Sequence, residues 1–435
     1  MRKSICLIWC LFVATVAYSQ DKSPIITTDL PLFWKAYDAI MNTTDSNQQA
    51  TLLQTMYIDK GSPGLKAMME ARNYTVADYL TAIHRYPEFW KSIRPNMLRA
   101  DKYASEIQKG ITTLKKLYPI RPAKIYFTVG ALRSGGTTLQ DKVLIGSEIA
   151  LADFSTVSTE FPEQLSHLKS YFKLNPVKDI VFQNVHEYVH TQQDTTIGDY
   201  LLSQCVLEGV AEFVAVKAMG VASPNPPIAF GKANDAALKT AFSKCMFSPY
   251  TNNWLYNSPK NAFGMRDLGY YMGYAICEKF YEQAADKKAA IKYMIELDYN
   301  NDTLLYHFVD SSRYFDKPMT ELKAAYEASL PTVSSISGLD KGITGLVAPG
   351  KKQIIVEFSQ QMDPKYFRSF GWGPAGESAM MKVQKVVGFN TNSIALIVEV
   401  DLQPQRHYQL LIGEGFRTKE SIPLRKYLID INTGE

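Results

Sequence analysis

The chain has six histidines in 435 residues, and two of them, His186 and His190, stand four apart in VFQNVHEYVHTQQ (residues 181–193), with Glu187 directly after the first. With glutamate near ~5%, a chance His-Glu-x-x-His arises about 0.004 times in a chain of this composition. On a helix, side chains four apart project from one side, about one turn apart. Two neutral imidazoles so placed fill two corners of a Zn²⁺ tetrahedron with nitrogens at ~2.0–2.1 Å. Glu187 falls about 100° round the helix from His186, beside the metal rather than on it. There it can take a proton from a metal-held water and return it to a leaving amine.

A third ligand is then required. DYLLSQCVLEGVAEFVAVKAMG (199–220) reads as a second helix, apolar at Leu201, Leu202, Cys205, Val206, Val210, Phe213 and Val214, and ended by Gly220. Glu208 and Glu212 share one face of it. Two carboxylates in so apolar a helix cost several kcal/mol unless they are paired or metal-bound. A helix with two histidines and another with two glutamates compensate each other. A lone buried histidine is ordinarily a hydrogen-bonded core residue, and a glutamate pair a solvated face; the surrounding apolar sequence argues against both.

His186-Glu187-x-x-His190 followed by Glu208-Gly209-Val210-Ala211 resembles the gluzincin metallopeptidases and the predicted secreted zinc-dependent proteases. The resemblance covers roughly residues 120–285. It implies that Glu208 is the third ligand, that water takes the fourth position, and that Glu212 hydrogen-bonds a histidine from behind. The gap from His190 to Glu208 is one or two residues shorter than in well-known members, so the connection must differ, and the reverse assignment of the two glutamates stays open.

Peptide hydrolysis also needs a donor for the oxyanion. MRDLGYYMGYAICEKFYE (265–282) puts Gly269 and Gly273 on one helical face, allowing a close helix contact, and Tyr270 and Tyr274 on a neighbouring one. Tyr270 is the candidate catalytic phenol; aromatic packing is the plain alternative. His307 is a lesser candidate donor.

The elements that must position these groups follow from periodicity. Residues 29–117 are helical in pattern, with apolar residues at three- and four-residue intervals. AKIYFTV and KVLIGSEIAL then read as two strands joined by a glycine-rich turn. In the gluzincin fold a strand edge beside the motif helix aligns substrate, so Ser134-Gly135-Gly136-Thr137 either lines the cleft or is a plain hairpin loop. Asn175-Pro176 looks like the start of the motif helix, with Asn175 as its cap. Helical periodicity runs from Leu174 to about Tyr326. After Pro331, short alternating strands separated by Gly, Pro, Asp and Asn point to a β-sandwich, and IIVEFSQQMD, YQLLIGEGF and YLIDINTGE resemble bacterial immunoglobulin-like modules.

The N-terminus MRKSICLIWCLFVATVAYS has a basic start, an apolar run too short to span a bilayer and a small-x-small site, so it reads as a signal peptide cleaved near Ser19. A lipidated Cys10 would need small residues before it, and Leu7-Ile8-Trp9 are not small. No other stretch has eighteen apolar residues. Removing Arg2 and Lys3 from the formal charge of +4 leaves about +2, which gives no reason for a nucleic-acid partner. Cys205, Cys245 and Cys277 remain, as one bridge and a thiol or as three thiols.

The expectation is therefore an α+β protein: a signal peptide (1–19), a mainly helical zincin-like domain with a small sheet (20–330) and an all-β immunoglobulin-like sandwich (331–435). It would be a secreted or periplasmic zinc metallopeptidase acting on peptide or protein substrates. Two other readings stand beside it: a non-catalytic secreted binding protein with structural zinc, and a zinc hydrolase of a non-peptide amide.

Overall fold

The computed structural model describes residues 24–195, 197–259, 261–341 and 345–435. The expected signal peptide, with Cys6 and Cys10, lies outside them. The described chain is mixed α+β with two large hydrophobic cores, one drawing on residues 30–319 and one on 347–431, and a small cluster of Phe182, Val185 and Ala215. Among the described residues no helix is long and apolar enough to cross a membrane.

The helical pattern of residues 29–117 becomes a run of helices ending in Ala104–Leu117. Local chemistry sets their ends. Ser62 accepts from the amides of Gly64 and Leu65, Thr75 and Asp78 form a reciprocal capping box, and Asn73 closes Pro63–Arg72 in the left-handed region.

The small sheet differs from the sequence expectation. It has four strands, β1 (Ile25–Ile26), β2 (Lys124–Thr128), β3 (Gly136–Leu139) and β4 (Lys142–Gly146), in the order β1-β2-β4-β3. β2 and β4 pair in parallel, and the glycine-rich segment between them contributes β3, antiparallel to β4 at the end of the sheet. The expected strand KVLIGSEIAL stops at Gly146 and turns into the short helix Ser147–Ala150. The cause is Glu148, whose buried carboxylate accepts from the amides of Gly130 and Leu132 and so draws the chain back under the loop that leads to β3.

The motif helix, Ile180–His190, is entered through a 3₁₀ turn, Pro176–Asp179. Asn175 does not cap it. Its backbone is left-handed (φ +59°), its side chain makes no capping bond, and the 3₁₀ turn takes up the first backbone groups instead. The helix Ala104–Leu117 packs closely here: a Cβ on Gly110 would lie 2.7 Å from Val185 Cγ2.

The glutamate helix, Leu201–Met219, crosses the glycine-faced helix, Leu268–Gln283, almost backbone to backbone. A Cβ on Gly273 would sit 1.8 Å from the Cys205 carbonyl oxygen, and one on Gly209 would sit 2.1 Å from the Gly273 carbonyl carbon. The spacing of Gly269 and Gly273 thus serves the close contact expected of it. Cys205, Cys245 and Cys277 are all buried free thiols.

Residues from Val333 onward form two facing sheets. β5 (Val333–Ser337), β6 (Gly350–Phe358), β9 (Ala395–Leu402) and β8 (Val383–Phe389) make one, in the order β5-β6-β9-β8; β11 (Tyr427–Asn432), β10 (His407–Ile412) and β7 (Phe370–Gly371) make the other. Alternate residues point inward from both, among them Ile354, Val356, Leu396 and Val398 against Leu410, Ile412, Ile429 and Ile431.

Two consequences are measurable. Gly273→Ala forces the two helices apart and should cost about 1–3 kcal/mol or more of stability, read by thermal or denaturant unfolding. Burial raises the Glu148 carboxyl to about 7, against the backbone amides that favour its charge. The folded state therefore binds a proton that the unfolded chain releases, so this group's contribution falls as pH rises from about 4.5 to about 7. Unfolding at pH 5 and pH 7.5 should show that slope, and Glu148→Gln should flatten it.

Candidate metal centre

The motif helix and the glutamate helix bring three groups to one point. The two imidazole rings stand edge to face, 4.9 Å between centroids. Their Nε2 atoms are 3.2 Å apart, and Glu208 Oε2 lies 3.6 Å from that of His186 and 3.3 Å from that of His190. A tetrahedral site with arms of ~2.0–2.1 Å has edges of ~3.3–3.4 Å. The triangle's sides, 3.2, 3.3 and 3.6 Å, lie near those dimensions, and the group could hold a metal ion. His186, His190 and Glu208 are 8%, 7% and 6% exposed, buried yet within reach of solvent.

Each of these groups is fixed from behind. His190 Nδ1 meets Gln193 Oε1 at 2.6 Å, and Gln193 in turn donates through Nε2 to the Leu207 carbonyl and the Tyr299 hydroxyl. An amide oxygen can only accept, so Nδ1 carries the hydrogen and Nε2 offers its lone pair inward. His186 Nδ1 faces Glu212 Oε2 at 3.0 Å, close enough for an ion pair but too bent for a well-formed hydrogen bond. The other Glu212 oxygen is taken by the Ser223 hydroxyl. Glu208 and Glu212 thus occupy different sides of the imidazoles, and it is Glu208 that shares the Nε2 triangle.

The pocket's electrostatics favour a positive charge. Burial pulls the His186 pKa down, but the neighbouring carboxylates of Glu208 and Glu212 outweigh it and push it up to about 10. Burial opposes the Glu208 charge, yet the two histidines hold that carboxyl well below its ordinary range.

Glu187 stands where the strand end of the sheet meets the motif helix. Thr138 on β3 donates to Glu187 Oε2 at 3.1 Å and to its backbone carbonyl at 2.9 Å. Two residues earlier on the same face, Gly136 lets the strand approach; a Cβ there would lie 2.7 Å from Glu187 Oε1. Of the expected loop, Ser134 is turned to its own Gly136 carbonyl, and Thr138, one position beyond the stretch singled out, makes the contact.

Tyr270 is beside the cluster, its ring 6.1 Å from that of His186. Burial, then the Glu208 carboxylate, hold its phenol well above the ordinary tyrosine range, so it stays a donor. Tyr274 is turned away, donating to Glu278 and packing on Phe213. His307 is exposed on the helix Asp302–Ser312.

Sequence reasoning missed Tyr256, whose hydroxyl donates to Glu208 Oε1 at 2.7 Å, and Gln204, whose Nε2 reaches the same oxygen at 3.3 Å. Gln204 was legible in principle, four residues before Glu208 on the same face, as was Gln193, three after His190. Tyr256 was not: it comes from a loop 48 residues on, with 62% of the residue's surface exposed and a left-handed backbone (φ +55°). That conformation costs a tyrosine on the order of 1 kcal/mol.

Comparisons of the chain with family models, curated proteins and solved structures find no match. The site is therefore read from its own geometry.

If the outer partners orient the imidazoles, Gln193→Ala and Glu212→Ala should each lower metal affinity about 10- to 100-fold without unfolding the chain. Competition with a chromogenic chelator measures this.

Proposed function

We propose that the protein is a zinc-dependent hydrolase of peptide bonds. The observation that carries this reading is the open triangle: His186, His190 and Glu208 converge with tetrahedral spacing, and among the described residues no fourth His, Cys, Asp or Glu joins them. A structural zinc site is closed by four protein ligands, whereas a catalytic one leaves a position open. This favours an enzyme over a binding protein with structural zinc.

Zinc bound there would act as a Lewis acid toward water and the scissile carbonyl. Glu187, one residue on from His186, would accept a proton from water held there and deliver it to the leaving nitrogen. Thr138 holds one of its oxygens, so the carboxylate keeps its aim through both transfers. Tyr270, kept protonated beside His186, would donate toward a developing oxyanion.

Support for an extended peptide as substrate comes from β3. It is the outermost strand of its sheet, adjacent to Glu187 through Thr138, and the main-chain groups on its far side suit pairing with an added chain. The signal-like residues 1–19 support action outside the cytoplasm.

Zinc analysis combined with an unbiased peptide-library digest tests the proposal. Glu187→Gln should retain about one zinc per chain and lose peptide cleavage, whereas His190→Ala should lose both. Full turnover by Glu187→Gln, or cleavage of muropeptide or ester libraries but not of peptides, would overturn it.

A further inference from the structure

The two oxygens of Glu208 are treated differently. Oε2 faces both histidines, while Oε1 accepts from the Tyr256 hydroxyl at 2.7 Å and from Gln204 Nε2 at 3.3 Å. Gln204 is itself held, its Oε1 accepting from the Gly198 amide at 2.6 Å. A carboxylate fastened at one oxygen offers only the other to a cation, and so keeps a coordination position free.

Tyr256 lies at the end of a loop that the sandwich grips. Residues 416–424 form a narrow arm, closed by Leu424 N donating to Phe416 O and Thr418 N donating to Ile422 O. Phe416 and Leu424 root it in the sandwich core, while Ile422 near its tip packs on the helical core. Ser248 Oγ donates to the Ser421 carbonyl (2.6 Å), Asn253 Nδ2 to the Lys419 carbonyl (2.9 Å) and the Tyr250 hydroxyl to the Glu414 carbonyl (3.0 Å). The Arg417 guanidinium, itself buried, sits between two rings, 3.8 Å from the centroid of Tyr250 and 3.5 Å from that of Tyr366.

The gripped loop also reaches both helices of the site. The carbonyls of Met246 and Ser248 accept from the first amides of the glutamate helix, Leu202 and Leu201, and the Trp254 carbonyl accepts from Gly269. The Asn253 carbonyl accepts from Asn257 Nδ2, and Asn257 Oδ1 accepts from the Asp267 amide. Tyr256 is thus held between two anchored residues.

We propose that Tyr256 and Gln204 are positioning residues that make Glu208 a one-oxygen ligand, and that the 416–424 arm of the sandwich holds Tyr256 in that place. The C-terminal module is then a working part of the metal centre rather than an independent attachment. This rests on the metal-site reading above and adds a role for residues on the far side of the ligand.

The test uses the full chain loaded with Co²⁺, whose d–d absorption reports coordination number. Tyr256→Phe should weaken Co²⁺ retention about tenfold or more and shift the spectrum from a four-coordinate toward a weaker five-coordinate band, as Glu208 swings to offer both oxygens. Arg417→Ala should move the spectrum the same way, and the double variant should be no worse than Tyr256→Phe alone. Thermal unfolding checks that each variant is folded; should Arg417→Ala not fold, Asn253→Ala takes its place. A wild-type spectrum and affinity in Tyr256→Phe overturn the positioning role. Additive losses in the double variant overturn the route through the arm. A wild-type chain that binds neither Co²⁺ nor Zn²⁺ removes the metal-site reading itself, and this inference with it.

Discussion

The structure turns on the need to find partners for two carboxyl groups inside an apolar helix. Of the fifteen residues from Leu201 to Ala215, every one is buried, and Glu208 and Glu212 are among them. An unpaired charge there would cost several kcal/mol, so the fold has to supply partners at close range. Two imidazoles from the neighbouring helix, with phenol, amide and hydroxyl donors for the remaining oxygens, meet that demand. The arrangement that compensates the helix is the same one that could hold a cation.

Close packing makes the partnership possible. Glycines at 209 and 273 allow the glutamate helix and the glycine-faced helix to touch along their backbones, and Gly110 and Gly136 do the same for the motif helix on two other sides. Side chains on these helices therefore have few positions to choose from. His186, His190 and Glu208 are brought together by these contacts, and hydrogen bonds from Gln193, Tyr256 and Gln204 restrict how His190 and Glu208 can turn.

Much of this was legible in the sequence because it is local. The four-residue intervals His186–His190 and Glu208–Glu212 put each pair on one face, and the apolar residues between them fix which face is buried. Gly269 and Gly273 announced a helix contact for the same reason. The sheet was read less well: a parallel pairing of β2 with β4, and a third strand within the glycine-rich stretch, depend on where a buried Glu148 finds amides, which no periodicity encodes. Asn175 had the residue type of a cap but not the backbone of one. Tyr256 and Thr138 reach the site across long sequence separations, and residue type alone does not distinguish them from other tyrosines and threonines.

The three buried thiols have a bearing on how the core assembles. None of Cys205, Cys245 and Cys277 is cross-linked, and Cys205 is wedged at the glycine crossing beneath the metal triangle. Assembly of this core therefore requires no disulfide to form. Among the described residues glutathione therefore has no bond to reduce.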